Sequence, residues 1–413
     1  MADGNLAMKI LMSAYACEPN KGSEPGVGWG FAVEISKHHQ VWVMTRTNNQ
    51  SDIEVELAKT PHPNLHFIYH DLPKWARWWK RGSHGVQLYY YLWQLSAFQK
   101  GKALHQQIEF DLGHHLTFVK YWAPSFLAFI GIPYMFGPVG GGNETPWAFW
   151  KSLGFKGFLY ELLRYLAKKI GEMDPLVRRT ITKAKVCLAT TKGSKKCLEK
   201  IGSRYVQVFS QVGLTNKEIS KLRELKVDVK KPITFMSVGR LLALKGFHLG
   251  IEAFARAQIN DAQYWVIGDG PQMFRLRSLA ERLGVGKNVI FWGQLPHSAT
   301  LKKIGAGHVL VHPSLHDSGG WVCVEAMALG KPVICLRLGG PNILIDDQTG
   351  IKIDAVSPEQ SIRDIAQVMS ILAKDNDMRA SMGDAGLNRI LQRFSWEKKG
   401  EKILELYKEI SNL

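Results

Sequence analysis

The sequence predicts two α/β domains, each built on a doubly wound parallel sheet, and three observations carry that expectation. Lys9 to Tyr15 (KILMSAY) is a short apolar run that passes through a glycine- and proline-bearing loop into a helical pattern ending near Lys37, and a second apolar run follows at Gln40–Thr45. From Pro232 the alternation returns: PITFMSVG, YWVIGDGP and NVIFWGQL each read as a buried strand stopped by a glycine turn. Val311 to Leu336 is then one half-turn of such a sheet. It has a strand ending at Pro313-Ser314, an irregular glycine turn, a helix from about Val322 to Leu329, a Gly330 stop and a second buried strand. Strands alternating with helices in this way form βαβ units, and the expected domains are residues 1–213 and 214–395.

Length and composition agree with this. At 413 residues the chain is long enough for two or three domains with cores of their own, and 46% apolar with 22% charged residues is ordinary for a globular protein. The longest apolar stretch, Phe126 to Gly137, already contains Pro133, so a membrane-spanning helix is not expected. The opening MADGNLAMKILMSAYAC lacks the basic start, long apolar stretch and cleavage site of a secretory signal, and the expectation is a cytoplasmic protein. Cys17, Cys187, Cys197, Cys323 and Cys335 are odd in number and scattered, which suits reduced thiols better than disulfides or zinc ligands. A net charge of +17, weighted toward the N-terminal half, points to an anionic partner: lipid headgroups, a phosphorylated acceptor or nucleic acid.

Taken in order, the first loop, CEPNKGSEPGVGWG, does not have the GxGxxG spacing of a dinucleotide fold. Ser23 is placed to cap the following helix and Pro25 to occupy its first turn, and ligand contact by Gly22 and Ser23 is an equal reading. Leu72 to Ile108 contains no acidic residue, while Lys74, Arg77, Lys80, Arg81, Lys100 and Lys102 alternate with aromatics. Written as a helix, Trp75, Trp78 and Trp79 share one face, so Lys74 to Trp93 is expected to touch an anionic membrane surface. The bland alternative is a helix whose tryptophans cover the core. Nucleic acid is not expected, because no recognition motif accompanies the basic residues. Asp111 to His115 reads as a short strand ending in two histidines, and Pro133 to Glu144 as a strand entering a loop with Gly140 and Gly141. Both would line a carboxyl edge of the sheet, where open α/β sheets bind ligands. From Lys151 to Arg204 the chain is strongly basic and mostly helical in pattern.

The second domain gathers the chemistry. Gly239, Arg240, Lys245 and Gly246 follow one predicted strand. Asp317 and Glu325, with Gly319, Gly320 and Trp321 between them, follow another of the same sheet. Cations there suit a diphosphate and carboxylates suit sugar or ribose hydroxyls, with helix N-termini adding to the phosphate site. Glu325 is expected in the first helical turn. Asp375-Asn-Asp377 reads as a helix boundary rather than a metal motif.

GRLLALKG, VIGDGP, the Pro313-Ser314 run with Asp317 and Glu325, and Thr349-Gly350 resemble the successive motifs of family 4 glycosyltransferases, retaining enzymes of the two-Rossmann-domain (GT-B) type. The resemblance implies two Rossmann-like domains facing a cleft, with the last helix, about 396–413, packing back on the first. It implies that Gly239, Arg240 and Lys245 hold the diphosphate of a UDP- or GDP-type nucleotide sugar and Glu325 its ribose. Asp317 with the Gly319 to Trp321 backbone would meet the transferred sugar. His114 or His115 would join Arg240, Lys245 and Asp317 as catalytic candidates, and Gly22, Ser23, Gly140 and Gly141 would line the acceptor side. It implies retention, no cofactor and no metal, and a glycan or lipid-linked acceptor. Two departures stand out: Asp317 replaces the commoner Glu, and Asn342-Ile343 stand where a Glu often follows Gly339-Gly340. The other classes considered are a non-catalytic basic protein for anionic lipid or nucleic acid, and a sugar phosphorylase or epimerase.

Overall fold

The structure, a computed structural model, describes residues 7–80, 82, 85–118, 120–227 and 232–411. The chain forms two compact units. One comprises residues 1–142, 166–213 and 396–413, the other 143–165 and 214–395. The segment Asn143–Tyr165 therefore belongs with the second unit, although its position in the sequence assigns it to the first. Phe149 and Leu153, both fully buried, explain this: they sit in the second unit's core with Phe235, Leu249 and Val266.

The first unit has seven strands: β1 (Lys9–Ala14), β2 (Gln40–Thr45), β3 (Leu65–Tyr69), β4 (Leu112–Thr117), β5 (Tyr134–Val139), β6 (Val186–Ala189) and β7 (Val206–Val208). They lie in the order β3-β2-β1-β4-β5-β6-β7, all parallel. The order reverses between β1 and β4. β4 and β5 are buried along their whole length, as a parallel sheet covered on both faces requires. The helix Trp396–Ser411 returns to this unit, and Trp396 lies against the bare backbone of Gly30 and Gly213, where a Cβ would come within 2.4 and 2.8 Å of its ring. Only glycine permits that approach.

The second unit has six strands: β8 (Ile233–Val238), β9 (Ala262–Ile267), β10 (Val289–Gly293), β11 (Val309–His312), β12 (Val333–Leu336) and β13 (Gly350–Ile353). Their order is β10-β9-β8-β11-β12-β13, again all parallel, with the reversal between β8 and β11. Gly246 has φ +68° and starts the helix Phe247–Ala257, and a Cβ on it would fall 2.0 Å from the Pro313 carbonyl oxygen. The turns leaving β8 and β11 are thus pressed together at the reversal point.

Three expectations meet corrections here. Lys74–Trp93 is not one helix: Lys74–Ala76 make a single 3-10 turn and the long helix starts at Val86, after Gly82 and Gly85 at positive φ. Arg81 lies outside the described residues. Trp75 and Trp78 are exposed, while Trp79 turns inward, its indole N–H donating to the Ala76 carbonyl at 2.9 Å. Ser23 caps nothing. It has φ +65°, and the helix Ser23–Ser36 has Gly22 at its cap with no side-chain bond. Gly140 bridges to Lys120, and a Cβ on Gly141 would lie 2.2 Å from Trp122. Finally, β4 continues to Thr117, so His114 and His115 lie within the strand rather than at its end. All five cysteines are free thiols, and four of them are buried. Asp375 does bound a helix, its carboxylate accepting from the Met378 N–H at 2.8 Å.

Candidate functional site

The polar groups of the second sheet converge at its reversal point, the position where open α/β sheets bind ligands. Lys245 comes from the loop after β8 and Asp317 from the turn after β11, and Lys245 Nζ donates to Asp317 Oδ2 at 2.7 Å. His312, the last residue of β11, places Nε2 3.1 Å from the same oxygen. Asp317 Oδ1 accepts the N–H groups of Gly319 at 3.1 Å and Gly320 at 2.9 Å. Burial by itself would raise the Asp317 carboxyl, but the His312 hydrogen bond and the Lys245 charge outweigh it and hold it well below the usual carboxylate range.

Both Asp317 oxygens are therefore engaged inside the protein, which differs from the expectation that this carboxylate faces a sugar. A side chain one methylene shorter than Glu reaches its own turn and accepts from the amides two and three residues on. The N–H groups of Gly319 and Gly320 are consequently held by Asp317, and Gly320, at φ +74°, starts the helix Trp321–Ala328. The Trp321 indole nitrogen is buried without a partner. The Asp317 carbonyl also accepts from the Gly340 N–H at 2.8 Å, and a Cβ on Gly339 would lie 2.1 Å from that carbonyl oxygen, so the Gly339-Gly340 loop is closed over the same turn.

Glu325 is the fifth residue of its helix, whose first turn holds no acid. Its partner is His297, at the start of the helix His297–Ala306, with Nε2 2.8 Å from Oε1. That hydrogen bond raises the His297 pKa against the opposing effect of burial. Arg240 is exposed beside Gly239, which has φ +143°. Both line a crevice of about 470 Å³ over the carboxyl ends of β8, β9 and β10, with Gly268, Asp269, Gln294 and Thr300.

Sequence reasoning missed the residues that brace this turn. Arg164 donates from Nη1 to His316 Nε2 at 2.6 Å, from Nη1 and Nη2 to the Asn143 carbonyl at 3.1 and 3.0 Å, and from Nε and Nη2 to the two Glu161 oxygens at 3.1 and 2.9 Å. Burial, with Arg164 close by, lowers His316 to about 4, so it accepts this bond as a neutral ring. No local pattern marks an arginine that acts 152 positions away. His312 could have been found, since it directly precedes the Pro313-Ser314 run.

His114 and His115 are not part of this cluster. His114 pairs with Tyr407 OH at 2.6 Å and the Gly137 carbonyl at 2.7 Å, His115 with Tyr90 OH at 3.0 Å and Ser125 Oγ at 2.6 Å. Burial lowers them to about 4 and about 3, so both are neutral core residues at physiological pH. Among the described residues no three His, Cys, Asp or Glu side chains are grouped to hold a metal ion.

Comparison with known proteins finds likeness over the region that contains this cluster. Residues 219–389 match the family model for glycosyl transferases group 1. That region runs from just ahead of β8 to the helix before the return, and contains Arg240, Lys245, Asp317 and Glu325. The lipopolysaccharide core biosynthesis glycosyltransferase LpsE of Rhizobium meliloti is 32% identical over 205 residues, 49% of this chain and 58% of that protein. A D-inositol 3-phosphate glycosyltransferase of Segniliparus rotundus is 34% identical over 193 residues, 45% of this chain and 41% of that one. The chain thus spans about half the length of the curated relatives it matches. Over nearly the whole chain the likeness is one of fold. Sucrose-phosphate synthase from Thermosynechococcus elongatus has a TM-score of 0.64 at 19% identity, covering 98% of this chain and 99% of its own. Anabaena HepE in complex with UDP and glucose has a TM-score of 0.60 at 19% identity, covering 97% and 99%. Two Rossmann-like α/β domains of the GT-B type are the architecture these share with the chain.

Proposed function

We propose that this protein transfers a sugar from a nucleoside diphosphate sugar to an acceptor, and that the second unit holds the donor. The observation that carries the reading is the pairing of Lys245 with Asp317 across the β8–β11 reversal, in the same sheet whose carboxyl edge carries the crevice lined by Arg240, inside the region that matches glycosyl transferases group 1. In such a transfer the bond from the anomeric carbon to the diphosphate breaks, and the leaving group gains negative charge. Arg240 and Lys245, the latter held by Asp317, would stabilise that charge most strongly in the transition state, which is the role a metal ion plays elsewhere. Asp317 sets Lys245 and shapes the turn that would face the transferred sugar. Glu325, held by His297, is the group for the ribose hydroxyls.

The finer reading is a retaining family 4 enzyme without a metal or cofactor, using a UDP or GDP sugar and a glycan or lipid-linked acceptor. The motif resemblance supports it, and HepE, a neighbour in fold, is described in complex with UDP and glucose. Exposed Trp75 and Trp78 beside Lys74, with the net charge of +17, support contact with an anionic membrane.

The test is thermal unfolding with UDP, GDP, UDP-glucose and GDP-mannose in turn, each with and without EDTA. A ligand at about a hundred times its dissociation constant adds about 2.7 kcal/mol, a shift of several degrees. Transfer products are then read by NMR for anomeric configuration. No shift with any of the four would sink the proposal. An activity that EDTA abolishes and a divalent cation restores would remove Arg240 and Lys245 from the metal's role.

A further inference from the structure

The helix Gly154–Met173 is amphipathic in the reverse sense. Phe155, Leu159, Leu163, Leu166, Ile170 and Met173 are all exposed, Phe155 at 81%, Ile170 at 71% and Met173 at 83%. At about 100° per residue these six fall within about 80° of one another, a single continuous stripe. The opposite side carries the charge: Glu161 and Lys168 are only 2% and 5% exposed, and Arg164 is bound to Glu161 and His316. A helix on the surface of a water-soluble protein normally presents the other arrangement. Contiguous exposed apolar surface of this extent marks an interaction site.

We infer that this stripe is a docking surface for an anionic lipid bilayer, with the helix lying in the plane of the interface. Charge selects the occupant. Lys156 and Lys169 flank the stripe on its two sides; Lys156 is exposed, so that its stem can cover apolar surface while its ammonium reaches headgroups, and Lys169 is paired with Glu172. No exposed carboxylate stands on the outward face, because Glu161 is buried and Glu172 accepts from Tyr121 OH and from Lys169. The next helix, Pro175–Lys183, exposes Arg178, Arg179 and Lys183. A second copy of the chain would set these cations against their own kind with nothing acidic on the face to offset them. Among the described residues no helix is long and apolar enough to cross a membrane, so the contact is one of partial insertion.

The experiment uses the full chain with vesicles of phosphatidylcholine alone and of equal parts phosphatidylglycerol and phosphatidylcholine. Wild-type protein should co-sediment with the anionic vesicles and be released by high salt. Leu159→Glu with Ile170→Glu should weaken this roughly tenfold or more, because both outward side chains become charged. The unfolding temperature and the shift produced by UDP should not change, since both positions are solvent-exposed. Trp75→Ala with Trp78→Ala should weaken it less. Wild-type-like sedimentation of the Leu159/Ile170 variant would overturn the inference. So would a concentration-dependent dimer in analytical ultracentrifugation that this variant dissociates. Either result leaves the donor-site reading standing, because the UDP shift is measured separately.

Discussion

In the first sheet the strand beyond the reversal point, β4, carries His114 and His115 inside its hydrogen-bonded length. In the second sheet the corresponding strand, β11, carries only His312, and its carboxylate waits five residues longer, in the turn. The histidines of β4 end as neutral core groups with both ring nitrogens matched to Tyr, Ser or backbone partners. Asp317 ends as an ion with a cation at 2.7 Å. Two adjacent polar residues in a covered strand must give up charge, because both faces are dry. The same chemistry past the strand's last ladder bond can keep it. Where a polar residue stands relative to the end of its strand therefore says more than its type.

The comparison breaks most visibly at His115. His115→Ala leaves Tyr90 and Ser125 short of a partner and opens a void. Urea unfolding should show a loss of about 3–4 kcal/mol, with turnover per folded molecule within a few-fold of wild type. A selective loss of turnover at unchanged stability would return His115 to the catalytic set.

Next in size is the exposed cation of the second sheet. Arg240→Ala should lower turnover about a hundredfold, equivalent to about 2.7 kcal/mol, with no change in unfolding temperature. Lys245→Ala should match that loss and also destabilise the fold, since Asp317 is left without its cation. Steady-state kinetics beside calorimetry separates the two.

Asp317→Asn sharpens the comparison through pH. The folded pKa of Asp317 lies below its ordinary value of 3.8, so its contribution to stability is present above that value and is lost as pH falls through the folded pKa. The variant should lose about 1–2 kcal/mol at neutral pH and show a flatter decline in acid. Equal acid limbs for the two proteins would mean that Asp317 does not hold the turn as an ion.

The smallest effect concerns His297. Its pKa is raised above 6.5 by Glu325, so the pair contributes fully below 6.5 and the contribution fades as pH rises through the raised value. Glu325→Gln should bring the His297 titration, followed by NMR, back toward its ordinary range. The effect on stability should be slight, because His297 is 68% exposed and salt screens the pair.

The parallel strands were legible because buried strands are apolar runs with glycine stops. KILMSAY and PITFMSVG each became one, with bounds within a residue or two. The placement of Arg240, Lys245, Asp317 and Glu325 along one sheet was legible from their order after predicted strands. What those residues touch was not, because Lys245 reaches Asp317 across 72 positions and Arg164 reaches His316 across 152. The tryptophan segment misled for a different reason. Spacing of three and four suggested a helix, but Gly82 and Gly85 at positive φ and Pro73 ahead of the 3-10 turn divide the stretch. The reversed helix Gly154–Met173 escaped notice because periodicity reveals an apolar stripe without saying which side of it faces water.

The path of the chain through its two units also orders events in time. Phe149 and Leu153 emerge early in synthesis, but the β8 and β9 residues that cover them come more than eighty positions later. The first unit lacks Trp396 and its helix until all of the second unit's segments have been made. Neither unit can close as the N-terminal half appears: the second waits for the strands from β8 onward, and the first for the helix Trp396–Ser411. A nascent chain of this design leaves apolar surface uncovered until those later segments arrive. By the same logic, residues 214–395 expressed alone would lack Phe149 and Leu153, and residues 1–213 alone would lack Trp396 and its helix.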